Sequence, residues 1–255
     1  MTDVSSFRPP SAPPAPSPRR ARTFVGRLSG AVRRQDGFAV ALEVCIVVAG
    51  VLLALAANDW AAGRAARRVE AQSLREVRAA LQSDLADIRS VLEGNDQVAA
   101  PARELRDHFR ARRPYHDSLD ARFGAILSTT YSTRDLGAYE TLKQRGLDTV
   151  TDDSLRAAIN HLYGVTYPSG IVFQEWGADF FLQEQVPLYN RLFHDVHWGR
   201  SATPTDYDAL LGSNEFAAVL DWRVDLERQL AEMMRRTESE VEALIGRIDR
   251  VLARR

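Results

Sequence analysis

The longest apolar stretch of the chain lies near its start. Residues 37–57 are 21 positions of which only Glu43 is charged. A helix of this length would be roughly 31 Å long, which matches the hydrocarbon thickness of a bilayer. The core helix of a soluble protein would show a polar stripe at the helical period, and this segment shows none. The pattern therefore predicts a transmembrane helix over 37–57.

Beyond this predicted span, apolar residues recur at helical spacing. From Leu74 to Leu92 they are three or four residues apart, and no Gly or Pro interrupts residues 64–93. This seam predicts that the transmembrane helix continues outward as a long helix. Gly94-Asn95-Asp96 is expected to break it, and a second helix is expected over 97–112.

Caps and helix breakers divide the remainder of the chain into further helices. The clearest signals are a left-handed cap at Gly146, a cap at Thr151-Asp152-Asp153, a boundary at Pro168 and a cap at Ser213. The helices expected from these signals cover 116–130, 135–145, 151–163, 171–198 with a bend near Pro187, a short segment before Gly212, and the last helix after Ser213.

The last helix carries a second apolar seam, with spacings of three and four residues and one stutter after Thr237. Its members are Leu226, Leu230, Met233, Thr237, Val241, Leu244, Ile248 and Val251. We expect this seam to pack within the chain against the first one. No two-residue alternation is long enough to predict a sheet. The predicted fold is therefore all-α: one amino-terminal transmembrane helix that continues into a helical bundle over 58–255, framed by two long helices.

The charge distribution predicts the orientation of the span. Residues 1–36 contain seven Arg and two Asp, whereas residues 58–255 contain 26 basic and 31 acidic residues. Because basic residues favour the cytoplasmic side of a span, we expect a cytoplasmic amino terminus and a periplasmic 58–255 domain at the bacterial inner membrane. A net charge of −5 also argues against nucleic acid as a partner of that domain.

The residues before the span form two segments. Six prolines between Pro9 and Pro18 predict a disordered, Pro- and Arg-rich cytoplasmic tail over 1–20. Residues 21–36 are expected to form a basic amphipathic juxtamembrane helix, because apolar residues recur every four positions among arginines. Such a helix would lie on membrane lipid, where anionic head groups attract it.

A rival interpretation of the first 56 residues is a cleaved signal peptide. Ala54-Leu55-Ala56 followed by Ala57 fits the small-residue rule of signal peptidase. However, a usual signal peptide has only about 15–30 residues, and Glu43 interrupts the apolar part of this one. We therefore expect a retained anchor, with cleavage after Ala56 as the open alternative.

Three sequence motifs resemble a bacterial family of single-pass membrane proteins of unknown function. The first is Glu43-x6-Gly50-x3-Ala54-Leu55-x2-Asn58-x-Trp60. The other two are Tyr139-Glu140-Thr141-Leu142-Lys143 with Gly146-Leu147, Asp153-Ser154-Leu155-Arg156 and Leu162-Tyr163, and then Ser213-Asn214-Glu215-Phe216. The resemblance covers residues 37 to about 250 and implies a retained anchor and a helical domain. It implies no activity.

A stripe of small and polar residues is the candidate site within the span. Glu43, Gly50, Ala54 and Asn58 share one helix face, and small residues there would let a second helix approach closely. We therefore predict a homo-oligomer that forms through the transmembrane helix. In the alternatives, Glu43 only reaches the cytoplasmic interface, or it handles protons or ions. Trp60 is expected to anchor the helix at the membrane interface.

The sequence offers little reaction chemistry. His194 and His197 would lie on one helix face as metal ligands can, but no HExxH pattern, supporting Glu or cysteine accompanies them. We therefore predict no metal and no other cofactor. Nine aromatic residues between Tyr163 and Trp198 favour a packed core over a ligand pocket. The single cysteine, Cys45, excludes an intramolecular disulfide.

These observations favour a protein that acts by contact. The leading interpretation is a membrane-anchored helical scaffold or sensor of the bacterial envelope, with no catalytic activity and an unidentified envelope protein as its partner. The alternative is a membrane-anchored, metal-dependent hydrolase that uses the region of His194 and His197.

Overall fold

The computed structural model describes residues 37–129 and 132–254, with side chains from Leu42 onward. The predicted tail over 1–20 and juxtamembrane helix over 21–36 lie outside the described residues. The chain divides into two units, Met1–Ala62 and Gly63–Arg255. The first helix, α1, covers Gly37–Arg110.

Helix α1 continues through the segment that the sequence predicts to break it. The predicted break at Gly94-Asn95-Asp96 is wrong, and Pro101 lies inside the same helix. Tertiary contacts explain the continuity, because the Asn95 side chain donates to the Glu227 backbone carbonyl at 3.2 Å and also to the Glu227 carboxylate. The buried seam also runs on past the glycine, through Val98, Ala102 and Leu105.

Seven further helices and two strands follow α1 in the described residues. They are α2 (Ser118–Ala125), α3 (Gly137–Arg145), α4 (Asp153–His161), α5 (Tyr167–Phe180), α6 (Val186–Leu192), β1 (Phe193–His197), β2 (Ser201–Pro204), α7 (Tyr207–Leu211) and α8 (Asn214–Ala253), with a 3₁₀ turn at Leu147–Thr149. The all-α prediction is confirmed, with one two-stranded hairpin as the exception.

The predicted caps at Asp152 and Ser213 are confirmed. Asp152 caps α4 by accepting from the Leu155 backbone N–H at 3.0 Å, and Ser213 caps α8 by accepting from the Phe216 backbone N–H at 3.1 Å. Helix α3 ends at Gly146 as expected, but the glycine has a φ of 95° and a ψ of 129° rather than the predicted left-handed helical conformation. Such a positive φ carries no steric cost for a glycine.

The predicted boundary at Pro168 and Gly170 is wrong, because helical structure continues from α4 to α6. Two π-helical turns, Leu162–Thr166 and Phe181–Gln185, join the three helices. Pro168 and Pro187 each follow such a turn closely. A π turn already interrupts the regular ladder of backbone hydrogen bonds, so a proline placed there removes fewer of these bonds than it would inside an α-helix.

The helix predicted over 171–198 ends early and gives way to a hairpin. Strands β1 and β2 pair antiparallel, with Phe193 opposite Pro204 and an irregularity between His194 and His197. Gly199, at a φ of 70°, reverses the chain between the strands. Phe193 stacks on Tyr189 at 4.3 Å between ring centroids, and this burial favours the extended conformation over another helical turn.

The two long helices run antiparallel within the second unit. Arg78 of α1 pairs with Asp249 of α8 at 2.5 Å, while Arg110 pairs with Asp221 at 2.7 Å. Residue numbers therefore increase along one helix in the direction in which they decrease along the other. These exposed pairs contribute little energy each, about 0–1 kcal/mol, but they mark the register of the helices.

The core of the second unit consists of two apolar clusters. The first joins α1, α3, α4 and the carboxyl half of α8, and it contains members of both predicted seams, among them Leu74, Leu81, Leu230 and Ile248. The second joins the end of α1, α2, α6, the hairpin, α7 and the start of α8. The two seams therefore pack within the chain, as the sequence predicts.

Candidate functional site

The stripe predicted in the span lies on an uncovered helix. Glu43, Gly50, Ala54 and Asn58 are all exposed, and a Cβ placed on Gly50 would meet no described atom within 4 Å. By length and composition this helix could cross a membrane. Its most apolar window has a mean hydropathy of 2.0, and none of that window is buried. Because the helix is continuous, the spacing places the stripe on one face.

Trp60 lies beyond the stripe on the same helix. Trp60 is 63% exposed, and the apolar side chains that precede it in the span are exposed as well. An exposed tryptophan at the end of an apolar segment is typical of an interface anchor. The anchoring role of Trp60 remains a prediction.

The structure places His194 and His197 on strand β1, which corrects the predicted helix face. The His194 side chain is 54% exposed, and its Nε2 lies 3.9 Å from an Asp195 oxygen. Asp195 has a φ of 50°, so the strand is irregular between the two histidines. Among the described residues, no group of three His, Cys, Asp or Glu side chains is arranged to hold a metal ion.

An aromatic cluster lies where α5 packs against α8, and Trp176 is its exposed member. We define the aromatic surface as Phe173, Trp176, Phe180 and Trp222. Phe180 stacks on Trp222 at 3.4 Å between ring centroids, and Trp176 meets the same indole edge-on at 5.1 Å. Trp176 is 51% exposed and Trp198 is 57% exposed, so the expectation of a packed core is wrong at these two positions. It holds for Tyr163, Tyr167, Phe181, Tyr189 and Phe193, which are buried.

Four exposed aliphatic side chains lie along the same helical run, namely Val165, Ile171, Val172 and Leu182. Of these, Val172 precedes Trp176 by four residues within α5, so the two share one face of that helix. Exposed apolar side chains that share a face on a folded domain mark a surface for contact with another molecule.

A small cavity lies beside the aromatic surface. Its volume is about 30 Å³, and its walls include Phe173, Gly177 and Leu226 together with the buried Arg223 and Glu227. Small-molecule pockets usually measure about 300–1,000 Å³, whereas this cavity has room for about one water molecule. The size therefore favours a contact surface over a ligand pocket.

A buried ion pair forms the inner wall of this cavity. Arg223 Nη2 lies 2.9 Å from Glu227 Oε1, and both side chains are at least 95% buried. Arg223 also donates to the Ser128 carbonyl, and Asn95 donates to the other carboxylate oxygen. Burial raises the pKa of Glu227, although the Arg223 charge and the Asn95 hydrogen bond act in the opposite direction.

A second polar centre, Asp84 of α1, lies beside the second motif. Its carboxylate accepts from the Tyr167 hydroxyl at 2.7 Å and from the Asp135 backbone N–H at 2.9 Å. Tyr139 and Tyr163 of the motif stack at 4.5 Å, and Tyr163 meets Tyr167 edge-on at 5.1 Å. The motif tyrosines therefore pack against the tyrosine that bonds to α1.

The chain was compared with protein-family models, curated proteins and solved structures. A model described as a family of unknown function, DUF6090, matches residues 43–192, which is more than half of the chain. The chain belongs to DUF6090. No curated protein and no solved structure matches it.

The DUF6090 match begins at Glu43, within the predicted span, and ends at Leu192, the last residue of α6. It includes the first two motifs and excludes the third, which opens α8 at Ser213. Membership in DUF6090 supplies no activity because its function is unknown. The matched region contains the stripe and Trp176, but Trp222 and the Arg223–Glu227 pair lie outside it.

Asp84 gives the stability an unusual pH dependence. Burial raises its pKa above the ordinary 3.8, so the folded protein binds the proton more tightly than the unfolded chain. Stability from this group is therefore full below pH 3.8 and falls as the pH rises through the folded pKa. We expect the unfolding free energy of the unsubstituted protein, minus that of Asp84→Asn, to decrease as the pH rises through this range. Above it the difference should level off.

Denaturant unfolding of both proteins at a series of pH values tests the prediction. The Asn variant is the matched comparison because it keeps an oxygen that can accept from Asp135, and all other titrating groups cancel in the difference. A difference that stays constant with pH, or that increases, would contradict it.

Proposed function

We propose that the protein is a membrane-anchored helical interaction protein of the bacterial envelope that acts as a scaffold or sensor without catalysing a reaction. The 37–57 segment anchors it, and the second unit contacts a partner through the aromatic surface and the exposed Val172 beside it. The apolar composition and full exposure of the span support the anchor. Seven arginines before the span support a cytoplasmic amino terminus and a periplasmic second unit at the inner membrane.

The exposure of Trp176 is the observation that carries the proposal. Trp176 and Trp222 are in edge-on contact, and Trp176 keeps 51% of its surface exposed. Tryptophans at the centre of an apolar patch are the residues that most often dominate the binding energy of protein interfaces. The cavity beside them is too small for a ligand, so a protein surface is the partner that fits.

Photo-crosslinking in intact cells tests this surface. A benzoylphenylalanine in place of Val172, which is 64% exposed beside Trp176, should give one discrete crosslinked product. The matched control is the same substitution at Ser239, which is exposed on α8. We expect a product at least about tenfold more abundant at 172 than at 239, because an interface excludes alternative contacts.

The mass of the product identifies the partner class. A product of twice the chain mass means that a second copy covers the surface, and any other discrete mass means a different envelope protein. No product at 172, or equal and diffuse products at 172 and 239, would contradict the proposed interaction surface.

The stripe in the span predicts self-association within the membrane. A cysteine introduced as Val47→Cys, in a Cys45→Ala background, lies on the stripe face and should form disulfide-linked dimers. Replacing both Gly50 and Ala54 by Leu should weaken association about 3- to 30-fold, since close packing and each polar contact in lipid contribute about 0.6–2 kcal/mol.

The matched control for that pair is Ala49→Leu with Ala56→Leu, which adds similar bulk, one carbon less in total, away from the stripe. It should leave the yield of disulfide-linked dimer unchanged. If the Gly50 and Ala54 variants crosslink as well as the control, the stripe faces lipid and Glu43 only reaches the interface.

A further inference from the structure

A polar recess lies between the start of α4 and the last turns of α8. Its volume is about 190 Å³, and its charged lining residues are Asp152, Arg247, Arg250 and Arg254. All three arginines are exposed. The recess belongs wholly to the second unit and is separate from the aromatic surface.

The carboxylates near the three guanidinium groups do not balance their positive charge. No carboxylate among the described residues lies within ion-pair distance of Arg247, Arg250 or Arg254. Asp152 is the one carboxylate in the lining, and its Oδ1 accepts from the Leu155 backbone N–H. That hydrogen bond is the main cause of its lowered pKa, to which the Arg254 charge adds least. Among the described lining residues, positive charges therefore outnumber negative ones by three to one at neutral pH.

The dipole of α8 compensates only part of this positive charge. Arginines near the end of a helix are favoured by its dipole, which places about half a negative charge there. One guanidinium is compensated in this way at most in part. A wider recess at the opposite end of α8 is also lined by three arginines, Arg106, Arg110 and Arg112. There, however, Arg110 pairs at 2.7 Å with Asp221 of the lining, and Arg106 pairs with Asp107.

We propose that Arg247, Arg250 and Arg254 form a binding site for a phosphate-type oxyanion. Guanidinium groups bind phosphate oxygens in a bidentate manner, and three of them can surround one phosphate group. Free inorganic phosphate and the phosphate of an anionic lipid offer the same oxygens, and the experiment below separates these two sources. The lipid source rests on the proposed membrane anchor.

Arginine footprinting of the full-length protein tests the site. The protein is placed in nanodiscs of phosphatidylcholine alone, or with about one third phosphatidylglycerol, and phenylglyoxal modification of each arginine is followed by mass spectrometry. We expect phosphatidylglycerol to slow modification of the three recess arginines about fivefold, because a bound phosphate occupies their donors. Arg235, exposed on the same helix, is the internal control and should change by less than about twofold.

Inorganic phosphate added to the phosphatidylcholine discs separates the two sources. Protection by phosphatidylglycerol alone supports a lipid head group. Protection by inorganic phosphate alone supports the oxyanion site and overturns the lipid source. In either case Arg250→Gln should weaken protection of Arg254, whereas Arg235→Gln should not. If neither addition protects the recess, the site is overturned. Failure of the anchor would show separately, as protein that does not co-elute with the discs.

Discussion

We expect Arg223→Met to lower the free energy of unfolding by about 3–5 kcal/mol, because it leaves the Glu227 carboxylate buried without its charged partner. Glu227 is 4% exposed, and only the Asn95 side chain would still donate to it among the contacts shown. Trp222 precedes Arg223 and stacks on Phe180, so its fluorescence reports the same region during denaturant unfolding.

Two further variants separate the charge from the loss of packing. Arg223→Met combined with Glu227→Leu should recover most of the lost stability, because an apolar pair can replace a buried ion pair. Arg228→Met removes exposed pairs with Asp225 and Glu232 on the same helix and should cost about 1 kcal/mol or less. A double variant no more stable than Arg223→Met would show that the buried charge is not the cause.

Gly124→Ala should be the next most destabilising change, at about 1–3 kcal/mol, because no space exists for a methyl group there. Gly124 is buried in α2, and a Cβ at this position would overlap the backbone nitrogen and Cα of Ser201 in β2. The Gly199 backbone N–H also donates to the Gly124 carbonyl at 3.0 Å. The substitution therefore forces the hairpin away from α2.

Gly246→Ala is the matched control for this prediction. It lies inside α8, where the nearest atom to an added Cβ is the end of the Arg250 side chain at 3.8 Å. Alanine should raise stability there by about 0.5–1 kcal/mol through helix propensity. Equal melting temperatures of the two variants would contradict the close approach of α2 and β2.

The sequence predicts the position of α8 well but misreads its seam. Ten of the fourteen buried positions follow one unbroken alternation of four and three residues, whereas the apolar residues alone suggest a stutter after Thr237. The difference arises because two of these ten are charged and because Met234 rather than Met233 is fully buried. The ten are Phe216, Leu220, Arg223, Glu227, Leu230, Met234, Thr237, Val241, Leu244 and Ile248. Two opposite charges on an extended heptad were the signal that could have revealed the buried pair.

Elements that depend on distant contacts are the ones that local patterns miss. Gly94 does not end α1, because Asn95 bonds to α8 and the apolar seam continues beyond it. The strands escape prediction because burial of Phe193 against Tyr189, rather than alternation, selects the extended conformation. Capped ends such as those at Asp152 and Ser213 are predicted correctly, since their hydrogen bonds connect residues three apart.

The candidate sites divide in the same way. The stripe in the span follows from spacing alone, because one continuous helix fixes which residues share a face. The aromatic surface requires α5 and α8 to meet, which brings Trp222 to Trp176 across 46 residues of chain. Periodicity shows which residues share an apolar helix face, but it cannot tell an exposed apolar face from a buried one. It therefore does not reveal that Trp176 is exposed.

Protease accessibility in spheroplasts tests the membrane anchor, on which the proposed function depends, most directly. The full-length chain with a tag after residue 255 is followed by immunoblot in carbonate-washed membranes, with and without protease outside the spheroplasts. We expect a full-length tagged band in the membranes that external protease removes. A tagged band protected until lysis would place the second unit in the cytoplasm, and a shorter tagged band in the soluble fraction would mean cleavage near Ala56. Either result would contradict a retained anchor with a periplasmic second unit.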